Sequence, residues 1–273
     1  MPLSRSLAAA PRLVSTGRVR LVAVSDDQQR LGRIVDWMQT VGDPWTKDAA
    51  NAQPHAGSDL AADDANHPAS SPLSHRVIAM ALDHLGAVVD AVVASPPKRL
   101  SAHFTVLRTA LICGTRACWL LEPDSSNERQ LRAIRYRYEN LQAQRTAMTD
   151  FDDTHLTDDQ GKVLSESLAI IEIERQALEK RASELGAKGL TAPPKTTTML
   201  IDLVDRNTPE GTGMVNLWRT GSASAHGFHW VDEMRDNPAA FDYTWFQPAI
   251  QGTFLMINRA MTLRHQRATI NSG

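Results

Sequence analysis

Arg219 and His226 stand seven positions apart in the segment Val215–Trp230, VNLWRTGSASAHGFHW, separated by Thr220, Gly221, Ser222, Ala223, Ser224 and Ala225. On an α-helix that offset turns the second side chain only about 20° from the first and sets the two Cα atoms roughly 10 Å apart along the axis. The guanidinium offers a planar fork of donors for phosphate oxygens, and imidazole exchanges protons near neutral pH. Small residues between them leave a groove that the arginine can lean across. The chemistry such a pair can do is phosphate binding coupled to proton transfer, with the hydroxyls of Thr220 and Ser222 at hand. The other outcome is structural, with Arg219 paired to a carboxylate inside the bundle and His226 packed near a helix end.

Further groups have the types to assist. Arg108, Thr115 and Glu122 recur every seven residues and share one helix face, with Arg116 further round. An acid at a helix C-terminus is electrostatically disfavoured, so Glu122 calls for a specific partner. In the run ERQLRAIRYRY, residues 128–138, Arg129, Arg132 and Arg135 fall on adjoining helical positions. Such a ridge can follow a phosphate backbone while Tyr136 or Tyr138 stacks on bases. A merely solvated face, with Glu139 as the i,i+4 partner of Arg135, is the other reading. His226 and His229 lie near Asp232 and Glu233, but Gly227 disturbs the helix and no H-E-x-x-H pattern is present, so neither a metal nor a cofactor is expected. The chain has no P-loop, no dinucleotide-binding glycine motif, no G-x-S-x-G elbow and no Cys-x-x-Cys pair, which argues against nucleotide hydrolysis, Rossmann redox chemistry and serine hydrolysis.

The elements that would position these groups read as helices. Leu31, Ile34, Val35 and Met38 make an amphipathic helix capped at Ser25 and stopping near Gly42-Asp43-Pro44. From Trp45 to residue 73 the composition is that of a flexible linker. Ser74 caps a helix through Val77, Ile78, Ala81, Leu82, Leu85, Val88 and Val89 to about Ala94, and the next runs from about Leu100 to Glu122. A charged helix follows from Asn127 to about Thr149, an acidic loop to Asp159, and a helix to about Leu185 with Leu164, Leu168, Ile171 and Leu178 as its stripe. A short helix through Met199, Leu200 and Leu203 precedes the Arg-His helix, which starts near Gly213 and is closed or kinked by Gly227. The last helix begins at Tyr243 or Pro248 and reaches about Arg267. No stretch alternates long enough to make a strand. The reading is an all-α bundle of four or five long helices plus shorter peripheral ones, with residues 1–44 as an N-terminal extension, 45–73 as a linker and 74–268 as the domain.

With 273 residues, 42% of them hydrophobic, the chain can bury a sizeable core. Lys plus Arg (29) nearly balance Asp plus Glu (31), so any nucleic-acid contact must be a local patch. Cys113 and Cys118, five apart on one helix, point about 140° apart and cannot form a disulfide. They suit a cytoplasmic protein with reduced thiols. Arg5, Arg12, Arg18 and Arg20 precede any acid, but the apolar core at Leu7–Ala10 is too short for a secretory signal, so a disordered or loosely docked N-terminus is expected. Asp90, Arg108 and Arg116 interrupt the best apolar runs, so no membrane span is expected.

The R-x6-H spacing late in a helical chain resembles the R-x4-6-H motif of the HEPN superfamily, which includes metal-independent ribonucleases of toxin and phage-defence systems. The blocks SHRVIAMALDHL, VLRTALICGTRACWLLEP and LWRTGSASAHGFHW, between Ser74 and Trp230, are similar to blocks of uncharacterised actinobacterial helical proteins with HEPN-like folds. In many members an Asn, Asp or His follows the arginine directly; here Thr220 takes that place, and the spacing is at the long end of the range. The resemblance implies RNA as substrate, His226 for proton transfer, Arg219 for phosphate binding, no metal, and a homodimer that brings two motifs to one cleft. It also implies that the helix ending at Glu122 lies beside the Arg-His helix, where Glu122 would orient His226 or Arg219. The alternative within the same fold is a non-catalytic binding or regulatory module, an antitoxin for example, with Trp119, Trp218 and Trp230 as apolar walls.

Overall fold

Helix α5 (Ala102–Leu121) is apolar nearly all round, and a helix of that kind is stable only when neighbours cover every side. In the computed structural model, which describes residues 26–48, 53–65, 68–94, 99, 101–150 and 155–270, α5 is the central post. Leu107, Ala110, Leu111, Ala117 and Cys118 on it are wholly buried. In chain order, α1 (Asp26–Trp37) leads through a π-helical turn at Met38–Gly42 into α2 (Asp43–Lys47), followed by α3 (Asp59–Asp64) and α4 (Ser70–Ala94). After α5 come α6 (Ser126–Thr149), α7 (Asp158–Glu184), α8 (Thr196–Leu203), α9 (Pro209–Ala225), α10 (Trp230–Glu233) and α11 (Tyr243–Ala268). Helices α4, α8, α9 and α11 surround α5, and α6 with α7 forms a hairpin with its own small core of Ile134, Leu141, Ile171, Leu178 and Ala182. Among the described residues there is no strand, and the architecture is an all-α bundle.

Local chemistry moves several boundaries. The chain stays helical through Gly42-Asp43-Pro44, because Pro44 falls in the first turn of α2, where no N–H is needed. The expected linker, residues 45–73, holds α3, capped by the Ser58 side chain accepting from the Ala61 N–H, with Leu60 and Asp63 at 0% exposure. Its average polarity concealed one apolar anchor and one carboxylate that finds a buried cation. Ser74 does not cap α4, which begins at Ser70: the Ser71 N–H donates to Asp64 Oδ1 at 2.8 Å, and Ser74 is buried one turn in. The last helix starts at Tyr243, capped by Asp242, and carries Pro248 within it. The expectations for residues 1–25 lie outside the described residues.

Helices α4 and α5 are long and apolar enough to cross a membrane by length and composition, which the sequence reading did not expect. Both turn their apolar faces to the bundle and pack on each other and on α11. Cys113 and Cys118 are buried free thiols, pushed up by burial to about 11 and about 12 respectively.

Candidate functional site

Helix α9 is built to end beside His226. Thr208 caps its start by accepting from the Gly211 N–H, Pro209 occupies the first turn, and the helix closes in a Schellman turn. Gly227 takes φ +71, the Phe228 N–H donates to Ala223 O at 2.9 Å and the Gly227 N–H to Ser224 O at 3.2 Å. Only a residue without a Cβ adopts that φ readily. The His226 N–H still donates to Ser222 O at 3.1 Å, so His226 remains on the helical path and its offset from Arg219 is about 20° around the axis.

The inward face of α9 is Gly213, Met214, Leu217, Thr220 and Gly221. Arg219 and His226 lie on the opposite, exposed face, with Ser222 half-buried on its flank. Among the described residues no carboxylate pairs with Arg219, and the His226 ring tilts toward Phe228 with centroids 6.1 Å apart. The small residues do not make a groove for the arginine. They bring α9 against α5: a Cβ on Gly221 would stand 2.8 Å from both Arg108 Cβ and Phe104 O. Thr220 is buried and its hydroxyl donates back to Asn216 O at 2.9 Å, so it does not contribute to the outer face.

Arg108 reaches this flank from α5. Its Nε donates to Trp218 O at 3.3 Å and its guanidinium lies 5.6 Å over the Trp218 ring. Trp218 and Ser222 stand about 100° and about 60° around α9 from Arg219, on one side. Burial alone draws the Arg108 guanidinium below its ordinary value. No carboxylate enters as a cause, so α5 and α9 each bring to this side of the bundle an arginine without an acidic partner among the described residues.

The other expected members are elsewhere. Arg116 holds Glu139 at 3.1 Å and covers the Tyr136 ring at 5.5 Å, facing α6. Glu139 is thereby taken from Arg135, the partner expected for it. Glu122 lies fourteen residues beyond Arg108, roughly 21 Å along α5, and is bound by Arg259 at 2.7 Å. It does not orient Arg219 or His226, because α5 carries it to the far end of α9. The basic ridge is dismantled in the same way. Arg129 is buried, paired to Asp63 and donating to Pro123 O and Asp124 O at 3.0 and 2.7 Å. Arg132 pairs with Glu128 at 3.0 Å and donates to Trp119 O at 2.7 Å, and Tyr136 is buried beneath Arg116. Arg135, half-exposed, is the one of the four without such a partner among the described residues. A tryptophan-walled pocket is also not formed: Trp119 lies under Arg132 and Trp218 under Arg108, about eleven residues or roughly 16 Å apart along α5. His229 sits 3.4 Å from Glu233, exposed.

Phe228 was not singled out as a site residue, and Trp230 only as one wall of a pocket; Phe228 is exposed with its ring 6.1 Å from that of His226, and Trp230 is exposed at the start of α10. The sequence signal is two aromatic residues within three positions of a helix-ending glycine. Comparisons with protein-family models, curated proteins and solved structures find no match to this chain.

Proposed function

We propose that the exposed face of α9 is the active site of a metal-independent RNA endonuclease of the HEPN type. The observation that carries the reading is the placement of Arg219 and His226 on one outward face, with Arg219 free of any carboxylate among the described residues. Arg116, Arg129 and Arg137, at contacts between helices, are each paired with a carboxylate, whereas Arg219 stands exposed.

In this reading Arg219 grips the non-bridging phosphate oxygens in the two-pronged fashion of a guanidinium. The RNA 2′-oxygen attacks the adjacent phosphorus as neutral His226 removes its proton, and the bond from phosphorus to the 5′-oxygen breaks. The imidazolium then returns a proton to the departing 5′-oxygen, leaving a 2′,3′-cyclic phosphate and a 5′-hydroxyl. The nucleophile belongs to the substrate, so no metal-bound water is called for. Arg108, half-buried and without an acidic partner among the described residues, adds positive potential from the flank. A second copy of the chain and an antitoxin-like regulator belong to the same proposal, as does a cytoplasmic setting.

The competing reading, a non-catalytic binding module, draws on the apolar patch of Phe228, Trp230 and Met234, all exposed. Purified protein incubated with RNA in EDTA separates the two: the nuclease cleaves, and Arg219→Ala and His226→Ala do not while keeping their helical signal and melting temperature. Cleavage that persists in both variants, or that EDTA abolishes, contradicts the proposal.

A further inference from the structure

The C-terminal half of α11 forms one side of a cleft of about 500 Å³, a volume in the range of small-molecule sites. Met261, on its wall, stands thirteen residues or roughly 20 Å along α11 from Pro248, where that helix packs on Gly213 of α9. The cleft is therefore separate from the outer face of α9. Its other side is Trp45 of α2 with Gln53 and His55. Both sides are fixed: the His55 N–H donates to Ala268 O at 2.9 Å, and the Trp45 ring stacks on His75 with centroids 4.9 Å apart.

The lining is rich in donors, and among the described residues no Asp or Glu reaches it; residues 49–52 and 271–273 contain none either. Arg264 lines the cleft yet is 3% exposed, which makes it part of the floor. From the interior its guanidinium donates to Ser71 Oγ at 3.0 Å and Ser74 Oγ at 3.2 Å. Asp64 accepts from the Ser71 N–H behind them and attracts the same cation. That attraction does not offset desolvation, because burial still draws Arg264 down to about 10. Its charge also reaches outward, adding to burial in holding His75 below its ordinary value. A desolvated cation in this position is stabilised by a further negative group.

We infer that this cleft binds a small organic anion built on a flat ring, with the ring against Trp45 and Met261 and the anionic group, a carboxylate or a phosphate, at Arg264. The imidazoles of His55 and His265 supply further donors. The ring gains aromatic and thioether contact, and the anion gains charge-assisted hydrogen bonds away from bulk water. The inference does not rest on the nuclease reading of Arg219 and His226.

The test follows the Trp45 indole N–H signal of the full chain by heteronuclear NMR, assigned through Trp45→Phe, as probes of one shape are added. Indole-3-acetate or indol-3-yl phosphate should move that signal and bind about tenfold or more tighter than neutral indole-3-acetamide, with the cation tryptamine weakest. The tighter of the two anions identifies the headgroup. Arg264→Gln with Asp64→Asn, which neutralises both members of the buried pair at nearly constant shape, should keep the melting transition and lose the preference for anion over amide. His265→Ala, an exposed change, should weaken the anions and leave the amide unaffected. A Trp45 signal that neither anion moves at about 10 mM, equal affinity for acetate and amide in the native chain, or an anion preference that survives the double substitution overturns the inference.

Discussion

Arg129 on α6 and Asp63 on α3 form an ion pair with both side chains withdrawn from water, Nε to Oδ2 at 2.7 Å and exposures of 2% and 0%. Ser126 donates to the same carboxylate through Asp63 Oδ1, which also accepts from Arg129 Nη2 at 3.2 Å, while Arg129 Nη1 donates to the Pro123 and Asp124 carbonyls. The pair ties the first third of the chain to the α6–α7 hairpin. Removing one partner of a buried pair leaves an uncompensated charge and costs about 3–5 kcal/mol. Asp63→Ala should therefore lower the urea-unfolding free energy by that amount, whereas Asp63→Leu with Arg129→Met should recover much of it. A loss below about 1 kcal/mol, the range of exposed pairs, would contradict the burial of this contact.

Gly221 sets how closely α9 approaches α5. A Cβ there would meet Arg108 Cβ and the Phe104 carbonyl, each at 2.8 Å; the backbone oxygen has little room to move. Gly221→Ala should cost about 1–3 kcal/mol by overpacking and shift the outer face of α9 with it. Ser224→Ala, on the same helix without such a contact, serves as the control and should stay within about 0.5 kcal/mol. Equal thermal stability of Gly221→Ala and the native chain would show that the helices are not held this closely.

Two imidazoles give the fold an acid-sensitive term. Burial, and then the charge of Arg264, hold His75 below its ordinary value; burial, and then Arg99, do the same for His103. In the unfolded chain both titrate near 6.5. As pH falls through that value the unfolded state takes up protons that the fold resists, so stability is full above about 6.5 and declines toward the lower folded values. The drop in melting temperature between about pH 7.5 and about pH 5.5 should be smaller in His75→Phe/His103→Phe than in the native chain. Parallel drops would show that neither imidazole is protected.

What could be read from sequence alone follows from the range of the interactions. Helical periodicity is local, so the long helices and the all-α class were legible, and glycine at position 227 announced the end of α9. Pairing across the bundle is not local. Glu139 sits four residues from Arg135 in sequence but is taken by Arg116 from another helix, and Arg129 is claimed by an acid in a stretch whose composition suggested a linker. The shared face of Arg219 and His226 was calculable from spacing, whereas Arg108 could be placed beside Trp218 only once α5 and α9 were seen to pack through Gly221.

The central claim is that Arg219 and His226 direct attack by the RNA 2′-hydroxyl. The most direct measurement is end analysis of a short RNA incubated with the protein in EDTA, beside the same oligonucleotide carrying one 2′-deoxynucleotide at the cleaved position. The all-RNA strand should give a 2′,3′-cyclic phosphate and a 5′-hydroxyl, the deoxy-substituted strand should lose that cut, and Arg219→Ala and His226→Ala should lose all cuts. Cleavage of the deoxy-substituted strand at the same position, 5′-phosphate ends, or intact RNA throughout would contradict it.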